Sequence, residues 1–207
     1  MAKQLGFYFD ATACIGCRAC QVACKDKNDL VVGQTWRQVV EVSGGSWTAQ
    51  ENGTWATTAF AYYVSLGCQH CEKPSCVEVC PTGAMTKRAD GIVVVNAEQC
   101  IGCRYCEWAC PYGSPQFNEA KGVMTKCNFC EDYVAQGKKP ACVDACVMRA
   151  LDIGELADLR VKYGSVAQID PLPAANLTRP SIVLTPHAKS STHGDVKKLA
   201  LDKGGMK

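Results

Sequence analysis

An excess of charge of either sign is missing. Against 22 Lys and Arg stand 20 Asp and Glu, a formal net charge of +2 over 207 residues. A nucleic-acid binder would gather a basic excess on one face. Long hydrophobic runs are missing as well. The densest, residues 60–66 and 92–95, are strand-sized and far short of the about 20 apolar residues that span a bilayer. The first ten residues, Met-Ala-Lys-Gln-Leu-Gly-Phe-Tyr-Phe-Asp, lack the roughly 7–15-residue apolar core of a secretory signal. The expectation is a chain with no membrane span of its own, leaving the cytoplasm only if something carries it. Histidine is scarce, 3 in all, and no nucleophile elbow, phosphate loop or dinucleotide fingerprint occurs. Gly44-Gly45 reads as a turn. The 47% hydrophobic content excludes a disordered chain.

What the sequence has is cysteine: 16 of them, in four groups of four with none left over. The first is Cys14, Cys17, Cys20 and Cys24, spaced C-x2-C-x2-C-x3-C. In the second, Cys68, Cys71, Cys76 and Cys80, the middle gap widens to four. Cys100, Cys103, Cys106 and Cys110 repeat the first spacing. Cys127, Cys130, Cys142 and Cys146 put eleven residues into the middle gap. Pro81 and Pro111 follow the fourth cysteine of the two central groups. So many thiols without a secretory signal argue against disulfides. Structural zinc joins two C-x2-C knuckles across a longer gap, which groups two and four could imitate and the crowded groups one and three could not easily. Three thiolates this close suit the corners of one iron–sulfur cubane. The fourth, with three residues between, ligates the other cluster of a pair, as in bacterial two-cluster ferredoxins. The reading is four [4Fe–4S] clusters.

Two of the loops are copies of one another. Asp10-Ala-Thr-Ala-Cys-Ile-Gly-Cys-Arg-Ala-Cys echoes Asn96-Ala-Glu-Gln-Cys-Ile-Gly-Cys-Arg-Tyr-Cys, each after a strand-like apolar run. Gly16 and Gly102 lie inside these loops, where a missing Cβ lets the backbone approach a cluster. The 19 residues between Cys80 and Cys100 carry Asp90-Gly91 as a hairpin turn, the layout of a compact two-cluster module built on groups two and three. Groups one and four then pair around it. The expected ligand sets are Cys14, Cys17, Cys20 with Cys146; Cys24 with Cys127, Cys130, Cys142; Cys68, Cys71, Cys76 with Cys110; and Cys80 with Cys100, Cys103, Cys106. Pairing groups one with two and three with four is the rival arrangement. The fold class expected is α+β, with two ferredoxin-like modules nested in sequence. Residues 1–25 with 119–165 form the outer module, 26–59 a β-rich insertion, 60–118 the inner module and 166–207 an extended C-terminal tail.

Residues 39–42 and 60–66, with Ser43-Gly44-Gly45-Ser46 and Asn52-Gly53 between them, predict a β-hairpin. Trp36, Trp47 and Trp55 read as a hydrophobic lid over a module, with a partner contact as the sharper alternative. After Cys146, residues 150–154 predict a strand and 155–162 a helix with Leu156, Leu159 and Val161 as its apolar positions. From Asp170 a Pro-, Lys-, Ser- and Thr-rich composition predicts a tail without a core of its own, long enough over 171–186 to strap across a partner. His70 reads as a hydrogen-bonding neighbour of a cluster rather than a ligand, and His187 and His193 as solvated. Four complete sets of thiolates leave no open iron for chemistry. The chain therefore reads as an electron carrier with no substrate of its own.

The four-group layout resembles the iron–sulfur subunits of the dimethyl sulfoxide reductase family. So do Cys-Ile-Gly-Cys-Arg-Tyr-Cys at 100–106, the Gly-Gly-x-Trp insertion, Phe60-Ala-Tyr-Tyr, Cys110-Pro-Tyr-Gly, Met124-Thr-Lys-Cys and Gly137-Lys-Lys-Pro. The resemblance runs over nearly the whole chain. It implies an electron-transfer subunit, not an enzyme by itself, in a three-part complex. A membrane subunit would oxidise menaquinol, and a molybdopterin subunit would reduce the substrate. It implies the same cysteine pairing, and a full cubane at Cys103, where some relatives carry a bulkier residue and a [3Fe–4S] cluster. The C-terminal membrane helix of formate dehydrogenase relatives and the greater length of nitrate reductase relatives are not seen in these residues. The implied location is the bacterial membrane surface, on the outer face by co-export with a twin-arginine partner. The terminal substrate stays open among dimethyl sulfoxide, polysulfide, tetrathionate, selenate, arsenate and N-oxides. A stand-alone polyferredoxin, the alternative, would need a strongly acidic docking surface, which the +2 balance does not supply.

Overall fold

Leu5-Gly-Phe-Tyr-Phe-Asp alternates its bulk, and the strand it forms, β1 (Leu5–Asp10), organises the molecule. Successive side chains of a strand point to opposite faces. Leu5, Phe7 and Phe9 accordingly enter the main core, while Tyr8 enters a smaller cluster on the other side. The computed structural model describes residues 3–190. From β1 the chain runs through α1 (Ala19–Lys27) into the insertion, β2 (Arg37–Gly44), β3 (Trp47–Ala49), β4 (Trp55–Thr57) and β5 (Phe60–Gly67). The inner segment follows with α2 (Ser75–Glu78), β6 (Met85–Lys87), β7 (Val93–Val95), α3 (Tyr105–Ala109), β8 (Gln116–Asn118) and β9 (Val123–Thr125). Then come α4 (Glu131–Ala135), α5 (Ala141–Asp144), β10 (Leu151–Glu155), α6 (Leu156–Tyr163) and β11 (Ile182–Thr185).

The central sheet has the order β10-β1-β11, with β10 antiparallel and β11 parallel to β1. One face carries α6 through Leu156 and Leu159, packed with Tyr8 and Val183. Against the other face lie Val39, Val42, Tyr62 and Val64 of the insertion, with Phe129, Val143 and several cysteines. The remaining sheets are two-stranded hairpins: β2-β5, β3-β4, β6-β7 and β8-β9. Their cores are thin. The hairpins of residues 85–125 share one cluster of five buried residues, Cys76, Met85, Val93, Cys106 and Met124. Helices α2 to α5 are four or five residues long, too short to persist without neighbours. They pack in pairs, α1 on α5 and α2 on α3.

The mixed α and β content agrees with the fold class expected, and the turns fall at Asn52-Gly53 and Asp90-Gly91, where φ is positive at Gly53 and Gly91. Four features differ from the sequence reading. The hairpin expected of residues 39–42 and 60–66 forms as β2 with β5, but its ladder runs from Arg37↔Gly67 to Gly44↔Phe60, past the bound of 59 expected for the insertion. The stretch from 166 is not a free tail over its described part. Ile169, Leu172, Ile182, Val183 and Leu184 are buried, because Ile182-Val-Leu completes the sheet beside β1 and excludes water from both faces. Val161 is exposed, since only Leu156 and Leu159 of α6 face the sheet. Trp47 and Trp55 are exposed at the tip of the insertion rather than forming a lid; Trp36 alone packs on the core. Residues 191–207, with His193, lie outside the described part.

Candidate metal centres

The two copied loops fold alike because their backbones need the same uncommon conformations. Gly16 and Gly102 have φ of 71° and 68°, and Arg18 and Arg104, two residues on, have φ of 61° and 65°. The left-handed residue ends each loop and starts the following helix, α1 or α3. The glycines are required by the chain's own packing. A Cβ on Gly16 would meet the Tyr63 ring at 2.6 Å, and one on Gly102 would lie 2.4 Å from the Gly122 carbonyl oxygen.

All sixteen cysteines are free thiols. Three cavities are each lined by four of them, every time three from one group and one from another. Cys14, Cys17, Cys20 and Cys146 surround the first, with Ile15, Arg18 and Met148. Cys68, Cys71, Cys76 and Cys110 surround the second, with His70 and Lys126. Cys80, Cys100, Cys103 and Cys106 surround the third, with Met85 and Met124. Cys24, Cys127, Cys130 and Cys142 are all buried and stand close enough to perturb one another. Burial pushes the Cys24 thiol up to about 12, and the Cys142 and Cys130 thiolates add to that. Burial likewise raises Cys127, with Cys68, Cys24 and Cys142 contributing.

Hydrogen-bond donors are aimed at these sulfurs. The backbone N–H groups of Met85, Met124 and Phe129 donate to Sγ of Cys80, Cys100 and Cys127, each at 3.4 Å. At Cys80, burial raises the thiol, but the Met85 amide with the Thr82 hydroxyl and amide outweighs it, so this pKa falls. Two cations are buried among the thiols. Lys126 donates to the Val93 and Cys127 carbonyls. Arg37 is 4% exposed and lies over the Phe7 ring, 4.8 Å from its centre. Burial would lower its pKa, but the thiolates of Cys142, Cys127, Cys20 and Cys24 raise it further. No carboxylate pairs with either cation among the described residues. Buried charges are rarely left without a counter-charge.

His70 is fully buried, and its Nδ1 accepts the Val93 N–H at 3.0 Å. The proton of the neutral ring is then on Nε2, which has no protein partner. Burial first, then Lys126 and Arg37, lowers its pKa and keeps the ring neutral. His187, expected in solvent, stacks on Tyr62 with ring centres 5.0 Å apart. Four thiols about a cavity, unpaired cations, inward N–H groups and an orphaned imidazole N–H together fit a thiolate-bound, anionic iron–sulfur cubane. Sequence reasoning missed Arg37 and Lys126. The only available signal was the placing of Arg37 in register with buried Val39 on an alternating strand. None of the described helices is long and apolar enough to cross a membrane.

Comparison with known proteins adds to this geometry. Residues 59–156 match the model of the 4Fe-4S dicluster domain. The B subunit of the anaerobic dimethyl sulfoxide reductase of Escherichia coli (strain K12) is 53% identical over 195 residues, covering 94% of this chain and 95% of the relative. The electron transfer subunit of the thiosulfate reductase of Salmonella typhi is 42% identical over 163 residues, 78% of this chain and 81% of the relative. The B subunit of the polysulfide reductase of Wolinella succinogenes is 37% identical over 193 residues, 91% of this chain and 97% of the relative.

Proposed function

The protein belongs to the family of iron–sulfur B subunits of the anaerobic dimethyl sulfoxide reductases, and from that premise we infer how its sixteen cysteines serve electron transfer. It is the electron-transfer subunit of a reductase complex and not the catalytic one. Bound [4Fe–4S] clusters supply one-electron redox centres.

In the assignment we propose, Cys14, Cys17, Cys20 and Cys146 hold one cluster and Cys24, Cys127, Cys130 and Cys142 a second. Cys68, Cys71, Cys76 and Cys110 hold a third, and Cys80, Cys100, Cys103 and Cys106 a fourth. The observation that carries this is the lining of the three cavities, each drawing one cysteine from a second group. The packing of α1 on α5 and of α2 on α3 supports two modules nested in sequence, the outer built on groups one and four.

The chain's own part in the relay is to bury the centres while leaving faces for partners. Ile15 and Met148 line one cavity and are exposed, as is neighbouring Val147; Ile101 lines another and is exposed, as are Tyr105 and Trp108 of α3. Such exposed apolar residues suit subunit contacts. The partners proposed are a quinol-oxidising membrane subunit as donor and a molybdopterin subunit as acceptor, at the outer face of the bacterial membrane. Dimethyl sulfoxide is the terminal substrate proposed, on the 53% identity. A sulfur-compound reductase is the second reading, favoured by the thiosulfate and polysulfide relatives.

The test is the metal content of the tagged protein purified anaerobically from native membranes. About sixteen iron per chain, as four cubanes require, with molybdenum co-purifying, is the expected result. Iron without molybdenum would leave a stand-alone carrier, and zinc instead of iron would end the redox reading.

A further inference from the structure

The insertion does more than cover the outer module. Its strands β2 and β5 carry Arg37 and Ser65, both buried, into contact with one another. Arg37 Nη1 donates to Ser65 Oγ at 3.2 Å and reaches the Ser65 carbonyl at 3.5 Å. Ser65 Oγ in turn lies 3.4 Å from Cys20 Sγ. Chemistry fixes the direction of this chain of contacts. A guanidinium has donors and no acceptor, so a lone pair of the Ser65 oxygen receives its N–H. The Ser65 proton is then free for sulfur. A cysteine that ligates iron is a thiolate and has no proton to return.

Arg37 also lines a cavity with Ser65 and Cys68, and its charge has no carboxylate partner among the described residues. Ser65 lines the cavity of Cys14, Cys17, Cys20 and Cys146 and hydrogen-bonds to Cys20 there. The hydroxyl therefore works on one sulfur directly, and the guanidinium works on it through that hydroxyl and through its charge.

We propose that Arg37 and Ser65 are positioning residues that raise the reduction potential of the centre on Cys14, Cys17, Cys20 and Cys146, Ser65 by donating to Cys20 and Arg37 by orienting that hydroxyl and adding its buried charge. The proposal rests on the ligand assignment above. Reduction adds one electron and one negative charge to a thiolate-bound cubane. A hydrogen bond to a ligand sulfur and a buried positive charge both favour that more negative state, and hydrogen bonds to sulfur and net charge are recognised determinants of cluster potential. Removing either lowers the potential. Because Arg37 stays charged at any pH the protein survives, its contribution is constant and no titration is involved.

The experiment is an electron paramagnetic resonance redox titration of the intact membrane complex, wild type and variants. Ser65→Ala removes one oxygen atom, and Ser65→Thr keeps the hydroxyl. Arg37→Gln removes the charge, and Arg37→Lys keeps it. Ser65→Ala is expected to lower the midpoint potential of one cluster, the one altered by Cys146→Ser, and to abolish an exchangeable-proton coupling to it. Ser65→Thr restores both. Arg37→Gln is expected to lower the same cluster, with Arg37→Lys partly restoring it. Iron content stays at the wild-type value in Ser65→Ala, which carries the test by itself if Arg37→Gln loses iron. Unshifted potentials in Ser65→Ala and Arg37→Gln, with iron retained, would overturn the proposal and leave the ligand assignment standing. Absence of cluster signals from the wild type would instead overturn the assignment and the proposal with it.

Discussion

The hydroxyls of Tyr8 and Thr185, 177 positions apart in the chain, lie 2.8 Å from one another. Tyr8 also stacks on Tyr163, ring centres 3.6 Å apart. These contacts pin the last strand to the first and close the central sheet.

Strand β11 is therefore part of the folding core. Leu184 is 1% exposed, and Leu184→Ala is expected to cost about 2–5 kcal/mol, the range for removing a buried leucine side chain. Denaturant unfolding under anaerobic conditions, followed by far-ultraviolet circular dichroism, measures it. A change within roughly 0.5 kcal/mol, the range of surface substitutions, would show that residues 182–185 dock without stabilising.

The glycine loops give a paired prediction. Gly102→Ala forces a Cβ to within 2.4 Å of the Gly122 carbonyl oxygen, whereas Gly113, also at positive φ, has nothing within 4 Å. Both variants carry left-handed strain of about 1–2 kcal/mol; only Gly102→Ala must also move backbone. Gly102→Ala is expected to bind less iron than wild type and Gly113→Ala the full amount, by iron assay. Equal iron in both would mean that the loop relaxes freely.

The cysteine groups and the turns at Asn52-Gly53 and Asp90-Gly91 were legible because each is encoded within a few residues. A ligand loop places several thiols through its own backbone, and a turn needs one positive φ. Strand β11 was not legible. Its parallel pairing with β1 spans most of the chain, and three apolar residues, Ile182-Val-Leu, amid prolines and threonines carry no periodic signal. The buried Arg37 and Lys126 were hidden for a different reason. Nothing local marks a cation as buried when its counter-charge is a cofactor and not a carboxylate. The tryptophans misled because Trp47 and Trp55 sit in a two-stranded tip with no third layer to cover them.

Iron removal should unfold the inner segment before the central sheet. Two of the five residues in its core cluster, Cys76 and Cys106, are cysteines of the proposed centres. Little apolar packing remains there without metal, and small metal-dependent modules lose their fold with it. After chelation, amide hydrogen exchange is expected to speed up across β6 to β9 while β1 and β10 stay protected. Uniform protection, or loss beginning at β1, would contradict this order.

In the proposed assignment Cys146 completes the centre that begins at Cys14, and the nesting of the two modules depends on it. Cys146→Ser, studied in the intact complex by electron paramagnetic resonance, tests it most directly. The expected result is loss or conversion of one cluster signal, with both signals of the Cys68–Cys110 segment unchanged. A change in either of those inner signals, with the outer pair intact, would contradict the nested assignment.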